Sequence, residues 1–146
     1  MDGPESHTDP FESLLGYHLR RASVAVMADL TAALAPLALT PVEASVLFVI
    51  GAGRGVTQAE IGRALGIARA NMAPLMARFL ASGLVGREAV DGRSQALTLT
   101  RGGRDLHDQA RAAVEAHETR IFSRFSATER AATLQKLRAL WNSESP

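Results

Sequence analysis

The chain has 146 residues, 47% of them hydrophobic and 21% charged, with 16 basic side chains against 15 acidic ones and no cysteine. A chain of this length makes one domain and buries a core without disulfides or a structural metal; the missing thiols exclude zinc–thiolate centres, iron–sulfur clusters and cysteine-based peroxide sensing. The first ten residues hold three acids and two prolines without a basic or apolar stretch, and Arg20, Arg21, Asp29 and Glu43 interrupt the most apolar windows, so the expectation is a soluble cytoplasmic protein with no signal peptide and no membrane contact.

Apolar residues at Phe11, Leu14, Leu15, Leu19, Ala22, Val26, Leu30 and Leu34 are spaced three and four apart, which predicts a long amphipathic helix from residue 11 to about 35, stopped by Pro36. Residues 1–10 are read as a disordered tail. Thr40-Pro41-Val42-Glu43 is a capping box with proline at the first helical position, and it opens a buried helix that ends in the glycines at 51, 53 and 55. Thr57-Gln58-Ala59-Glu60 repeats the device before a short helix with Ile61, Ala64 and Leu65 inward, closed by Gly66. A further helix is expected over 69–82, with Met72, Leu75, Met76, Phe79 and Leu80 on its apolar face and Gly83 after it. Two helices joined by so short a turn form a helix-turn-helix.

The period then changes to that of strands over 84–89 and 95–100, around Asp91-Gly92, a strong hairpin-turn dipeptide. Thr100 caps a second long helix to about residue 122, and Ser126-Ala127-Thr128-Glu129 caps a last one carrying Leu134, Leu137, Leu140 and Trp141. The fold class this order predicts is mainly α: a winged helix-turn-helix over 38–100 with a two-stranded β-hairpin wing, flanked by a helical dimerisation region at 11–37 and 101–146. Charge follows the same division. Residues 54–104 hold eight arginines and three acids, whereas residues 1–53 hold two arginines and six acids. A basic central module is the electrostatic footprint of a nucleic-acid binder, and the arginine fork matches phosphate. A winged helix devoted to protein contacts, with its arginines merely solvated, is the alternative.

Leu65-Gly66-Ile67, Gly83-Leu84-Val85-Gly86-Arg87, Asp91-Gly92-Arg93, and Leu97-Thr98-Leu99-Thr100 followed by Gly103 together resemble the MarR family of transcriptional regulators. Leu14 through Arg21 and Leu39-Thr40-Pro41 extend the likeness over nearly the whole chain. The resemblance implies a triangular homodimer with intertwined chain ends, two winged domains on a palindromic double-stranded DNA operator, and repression relieved by a small ligand. By position, Arg93 resembles the wing arginine that enters the minor groove, Asp91 the acid that holds the wing by pairing with a nearby arginine, and Arg87 the arginine of the G-L-V-x-R segment on the DNA side. Arg69, Ala70, Asn71 and Met72 occupy the first turn of the recognition helix, where base edges are met; asparagine can read adenine and arginine guanine. Arg78, at the far end, meets phosphate or pairs internally. Ala68 stands where a capping serine is usual, and Pro74 lacks an N–H and should kink the helix, so direct readout is expected to be sparse and to lean on the wing and on DNA shape.

No nucleophile, metal or phosphate-cradling motif supports an enzyme, and no cofactor is expected. His18 and His117 fall inside apolar stripes, where a core histidine satisfied by a carbonyl is one reading. The family's architecture supplies another, with Tyr17, His18 and Arg21 near the meeting of the first, second and fifth helices, holding a small aromatic or lipophilic effector: an aromatic acid, a phenol, or a bulkier aromatic acyl thioester. A zinc-responsive repressor using histidine and carboxylate ligands is the remaining alternative.

Overall fold

Side-chain caps set four of the six α-helix starts. The computed structural model describes residues 9–53, 55–89 and 95–142. Helix α1 spans Leu15–Leu34, α2 Pro41–Ala52, α3 Gln58–Leu65, α4 Arg69–Ala81, α5 Arg101–Ile121 and α6 Ala127–Trp141; strands β1 (Val85–Ala89) and β2 (Gln95–Leu99) lie between α4 and α5. The three sequence-predicted capping boxes form. Thr40, Thr57 and Ser126 each accept the amide three residues on, and Glu43, Glu60 and Glu129 reach back to the cap amides at 2.7, 2.7 and 2.8 Å. Each such cap contributes about 1 kcal/mol. Pro36 lies in a short 3-10 turn, Ala35–Leu37, that closes α1.

Helix α1 begins four residues later than its apolar spacing suggests. The Asp9 carboxylate accepts the Phe11 amide at 3.0 Å, and this local turn competes with helix at the start of the stripe. Ala64, expected inward, is exposed; α3 buries Ile61 and half-buries Leu65. Helix α4 runs through Pro74 from Arg69 to Ala81, and its N-cap Ala68 makes no side-chain cap.

Helix α2 is the centre of the core. Its buried Val46, Leu47 and Ile50 join Leu34 of α1, Ile61 of α3, Met72, Leu75, Met76 and Phe79 of α4, Val85, Leu97 and Leu99 of the hairpin and Ala110 of α5. The strands pair antiparallel from Val85 opposite Leu99 to Ala89 opposite Gln95. Val56 adds a single bridge to Leu97, with the Leu97 amide 2.8 Å from the Val56 carbonyl.

The segment joining wing to α5 is bolted to the turn after α4. The Thr100 hydroxyl donates to the Gly83 carbonyl at 2.6 Å and accepts the Gly103 amide at 3.0 Å. A Cβ on Gly103 would stand 1.9 Å from the Leu84 carbonyl oxygen, so only glycine lets the backbones approach this closely. The Leu-x-Leu-Thr-x-x-Gly pattern thus has a physical content: two core leucines, a cap that also clasps the preceding turn, and a close backbone crossing.

The chain ends differ from this centre. Phe11, Leu14, Leu15, Leu19, Leu134, Leu137, Leu140 and Trp141 are all exposed, Leu15 at 78% and Trp141 at 74%. Among the described residues no single helix is long and apolar enough to cross a membrane.

Candidate nucleic-acid interface and effector site

The helix-turn-helix consists of α3, the turn at Gly66 and α4. Gly66 adopts φ +64° and the Ile67 amide bonds the Gly62 carbonyl at 2.9 Å, which closes α3 and starts α4 within three residues. An open crevice of about 760 Å³ between the two helices is lined by Gln58, Arg63, Gly66, Ile67, Arg69 and Met72 among others. The one acid of α3, Glu60, is occupied at the helix cap. Hydrogen bonds from the Thr57 amide and hydroxyl hold its carboxyl below the usual carboxylate range. Helix α4 carries no acidic residue, so its N-terminus keeps the positive end of the helix dipole uncompensated.

Arg69, Ala70 and Asn71 stand exposed on the first turn of α4. Met72 does not: only 1% of it is accessible. Positions 72, 75, 76 and 79 share one helix face, and that face packs into the core, so the assignment of Met72 to base contacts is corrected. Arg78 pairs internally, through Nη2 to Oε1 of Glu43. Glu43 is buried and uses its other oxygen to cap α2 at Thr40, so one carboxylate ties the last turns of α4 to the start of α2. Arg87 lies exposed on β1 opposite Leu97. Asp91 and Arg93, together with the hairpin turn, lie outside the described residues.

Tyr17, His18 and Arg21 do come together. Phe11 stacks on Tyr17 with ring centroids 4.6 Å apart, His18 meets Tyr17 edge-on at 5.5 Å, and the Arg21 guanidinium lies 5.8 Å above the Tyr17 ring. Arg21 also donates to the Tyr17 hydroxyl at 3.3 Å, and this hydrogen bond raises the arginine's pKa. The cluster is at the outer end of α1, however, and not where α1, α2 and α5 meet. His18 is exposed, with Nε2 3.0 Å from the Glu12 carbonyl, so it is not a core histidine.

The crossing of α1 and α5 holds a different polar set. His117, 2% accessible, donates from Nδ1 to Asp29 Oδ2 at 2.7 Å, and Arg120 donates to both Asp29 oxygens at 3.0 and 2.5 Å. Hydrogen bonds from Arg120 first, then from His117, hold the Asp29 carboxyl below the usual range. His117 Nε2 has no partner among the described residues. His117 was visible in the sequence as a histidine within a stripe, but its partner is a carboxylate 88 residues away rather than a carbonyl. A second cavity, of about 350 Å³, lies between the end of α5 and α6 and is lined by Phe122, Phe125, Leu134 and Leu137 with Glu118 and Arg130 at its polar edge. No group of three or more histidine or carboxylate side chains able to hold a metal occurs among the described residues.

A sequence profile of the MarR family matches residues 39–94, from the turn before α2 to the hairpin. The HTH-type transcriptional repressor Rv2887 of Mycobacterium tuberculosis is 33% identical over 117 residues, covering 79% of this chain and 84% of that one. The chain belongs to the MarR family. Its winged fold is also that of the transcriptional repressor CouR bound to a 23-mer DNA duplex, at 36% identity and TM-score 0.81 over 88% of this chain and 93% of that one. CouR bound to p-coumaroyl-CoA matches at 32% identity and TM-score 0.81, over 96% of this chain and all of that one. The chain is accordingly a winged-helix transcriptional regulator, and Rv2887 and CouR, to which it is similar, are repressors.

Proposed function

We propose that this MarR-family chain is a homodimeric repressor that binds a pseudo-palindromic operator and is released by a small aromatic acid or its acyl thioester. The observation that carries it is the acid-free, exposed face of α4 beside the Arg63 and Arg69 crevice, positioned by a core that α2 organises. Residues 38–100 form the DNA-binding unit; residues 11–37 and 101–146 supply the dimer, whose interface covers the apolar residues exposed at both chain ends. Arg69, Ala70 and Asn71 face the major groove and Arg87 lies on the DNA side, while the resemblance to the family gives Arg93 the role of the minor-groove wing arginine and Asp91 that of the acid that holds the wing by pairing with a nearby arginine. Tyr17, His18 and Arg21, an aromatic surface with a cation and two polar rings, hold the effector's ring and its anionic or phenolic group once the second protomer walls them in. The solved complexes of CouR with a DNA duplex and with p-coumaroyl-CoA support the two halves of this proposal. The protein works by binding, without a cofactor and without catalysis, in the cytoplasm where the DNA is.

Anisotropy titration of a labelled duplex, recovered by selection from a randomised pool, tests the proposal. With sixteen central arginines per dimer and about half of them on phosphates, the log–log salt slope is about −7, whereas a slope shallower than about −2 would point to a protein-binding module. An effector should weaken this binding by about 5- to 150-fold and be weakened by DNA by the same factor. A panel of aromatic acids and thioesters that binds without moving DNA affinity would leave a constitutive DNA-binding protein.

A further inference from the structure

The four side chains at the centre of the exposed face of α4 are Ala70, Ala73, Pro74 and Ala77, all exposed. At about 100° per residue, they share a strip roughly 100° wide that stands opposite the buried strip of Met72, Leu75, Met76 and Phe79. None has a side-chain donor or acceptor, and Pro74 has lost its backbone donor as well. The polar side chains sit at the margins: Arg69 on one edge, Asn71 and Arg78 on the other, and Arg78 is held by Glu43. A helix presented to the major groove by this face cannot make the bidentate pairs with guanine or adenine along its centre. Its short side chains instead bring the backbone close to the base edges. The one base feature in that groove read by apolar contact is the thymine C5 methyl.

We propose that α4 reads its half-site chiefly through thymine methyl groups packed against Ala70, Ala73, Pro74 and Ala77, with hydrogen-bonded reading confined to Arg69 and Asn71 at the edges. The inference rests on the placement of α4 in the major groove proposed above, and it names the base chemistry that placement selects. It also separates a functional alanine face from one chosen only because alanine favours helix: the second kind is indifferent to a methyl group on the DNA.

The test uses the full-length protein and the duplex recovered by selection. Each thymine in the half-sites is replaced in turn by deoxyuridine, which deletes the methyl and leaves every donor and acceptor in place. Loss of one packed methyl should weaken binding about fourfold, and a symmetric pair, one in each half-site, by roughly tenfold or more. At the sensitive positions Ala73→Gly or Ala77→Gly should shrink the thymine-to-deoxyuridine ratio toward one, whereas Asn71→Ala should leave it unchanged. Because the ratio is taken within one protein variant, any loss of helix stability cancels. A ratio of one at every thymine, or a selected half-site without thymine, overturns the inference. Substitution of 7-deazaguanine and 7-deazaadenine in the same duplex then locates the failure. If those changes cost tenfold or more, α4 occupies the groove but reads it by hydrogen bonds; if they too cost nothing, the placement of α4 in the groove falls with the inference.

Discussion

Helices α4 and α6 carry similar apolar loads and meet opposite fates. Met72, Leu75, Met76 and Phe79 of α4 are buried within a single protomer, while Leu134, Leu137, Leu140 and Trp141 of α6 are all exposed in it. The first half of α1 behaves like α6. The winged unit closes its own core around α2, whereas the chain ends leave their apolar side chains exposed. Exposed apolar surface of this extent fits the dimer interface proposed above. The two regions should therefore respond differently to substitution, the centre through stability and the ends through assembly.

The sharpest break of the centre is Gly103→Ala. The added carbon has no room beside the Leu84 carbonyl, so a backbone must move, and a loss of about 3 kcal/mol is expected; chemical denaturation of the two proteins at equal concentration measures it. At the ends, Leu15→Lys together with Trp141→Lys should raise the dimer dissociation constant by about a hundredfold or more. Light scattering at micromolar concentration should then move toward one chain's 15.5 kDa. A wild-type protein that already scatters as 15.5 kDa would undo the comparison itself.

Asp29 lies where the two regions meet, on α1 against α5. Its folded pKa is below its unfolded value, so the stability it contributes is complete above the unfolded value of about 4 and is lost as pH falls through the folded one. Glu60 and Glu129, also held low at their caps, titrate on the same side. Denaturation midpoints between pH 2 and 6 should consequently fall less steeply for Asp29→Asn than for wild type, and identical acid limbs would remove Asp29 from the account. The smallest effect is expected at Gly16, where an added carbon meets nothing within 4 Å. Gly16→Ala in α1 should raise stability by about 0.5–1 kcal/mol through helix propensity, in contrast to the same change at Gly103.

The elements were legible because their signals are local. Capping boxes at Thr40, Thr57 and Ser126, the cap at Thr100 and the glycines at 66 and 83 each act within a few residues, and all appear where the sequence puts them. Pairings across the chain were not legible. Nothing near Asp29 or His117 announces the other, the Val56 bridge is a single residue pair without period, and Glu43 looked fully accounted for as a cap before Arg78 reached it. Met72 satisfied two patterns at once, first-turn position and apolar face, and only packing decides between them. Tyr17, His18 and Arg21 meet because they share adjacent turns of one helix, but where that helix end lies relative to α2 and α5 depends on tertiary angles that no local spacing encodes.

The clasp formed by Thr100, Gly83 and Gly103 has a mechanical consequence. It ties the turn after α4 to the foot of α5 through hydrogen bonds and a close backbone crossing, so α5 acts as a lever about its far end, at the His117–Asp29 crossing, with α4 at the end of the long arm. Its 21 residues make a rod of about 30 Å, and a tilt of about 5° at one end displaces the other by roughly 2.5 Å. That is most of the ~3.4 Å rise between base pairs, which means that a change too small to repack the crossing at His117 and Asp29 is large enough to put a reading helix out of step with its groove.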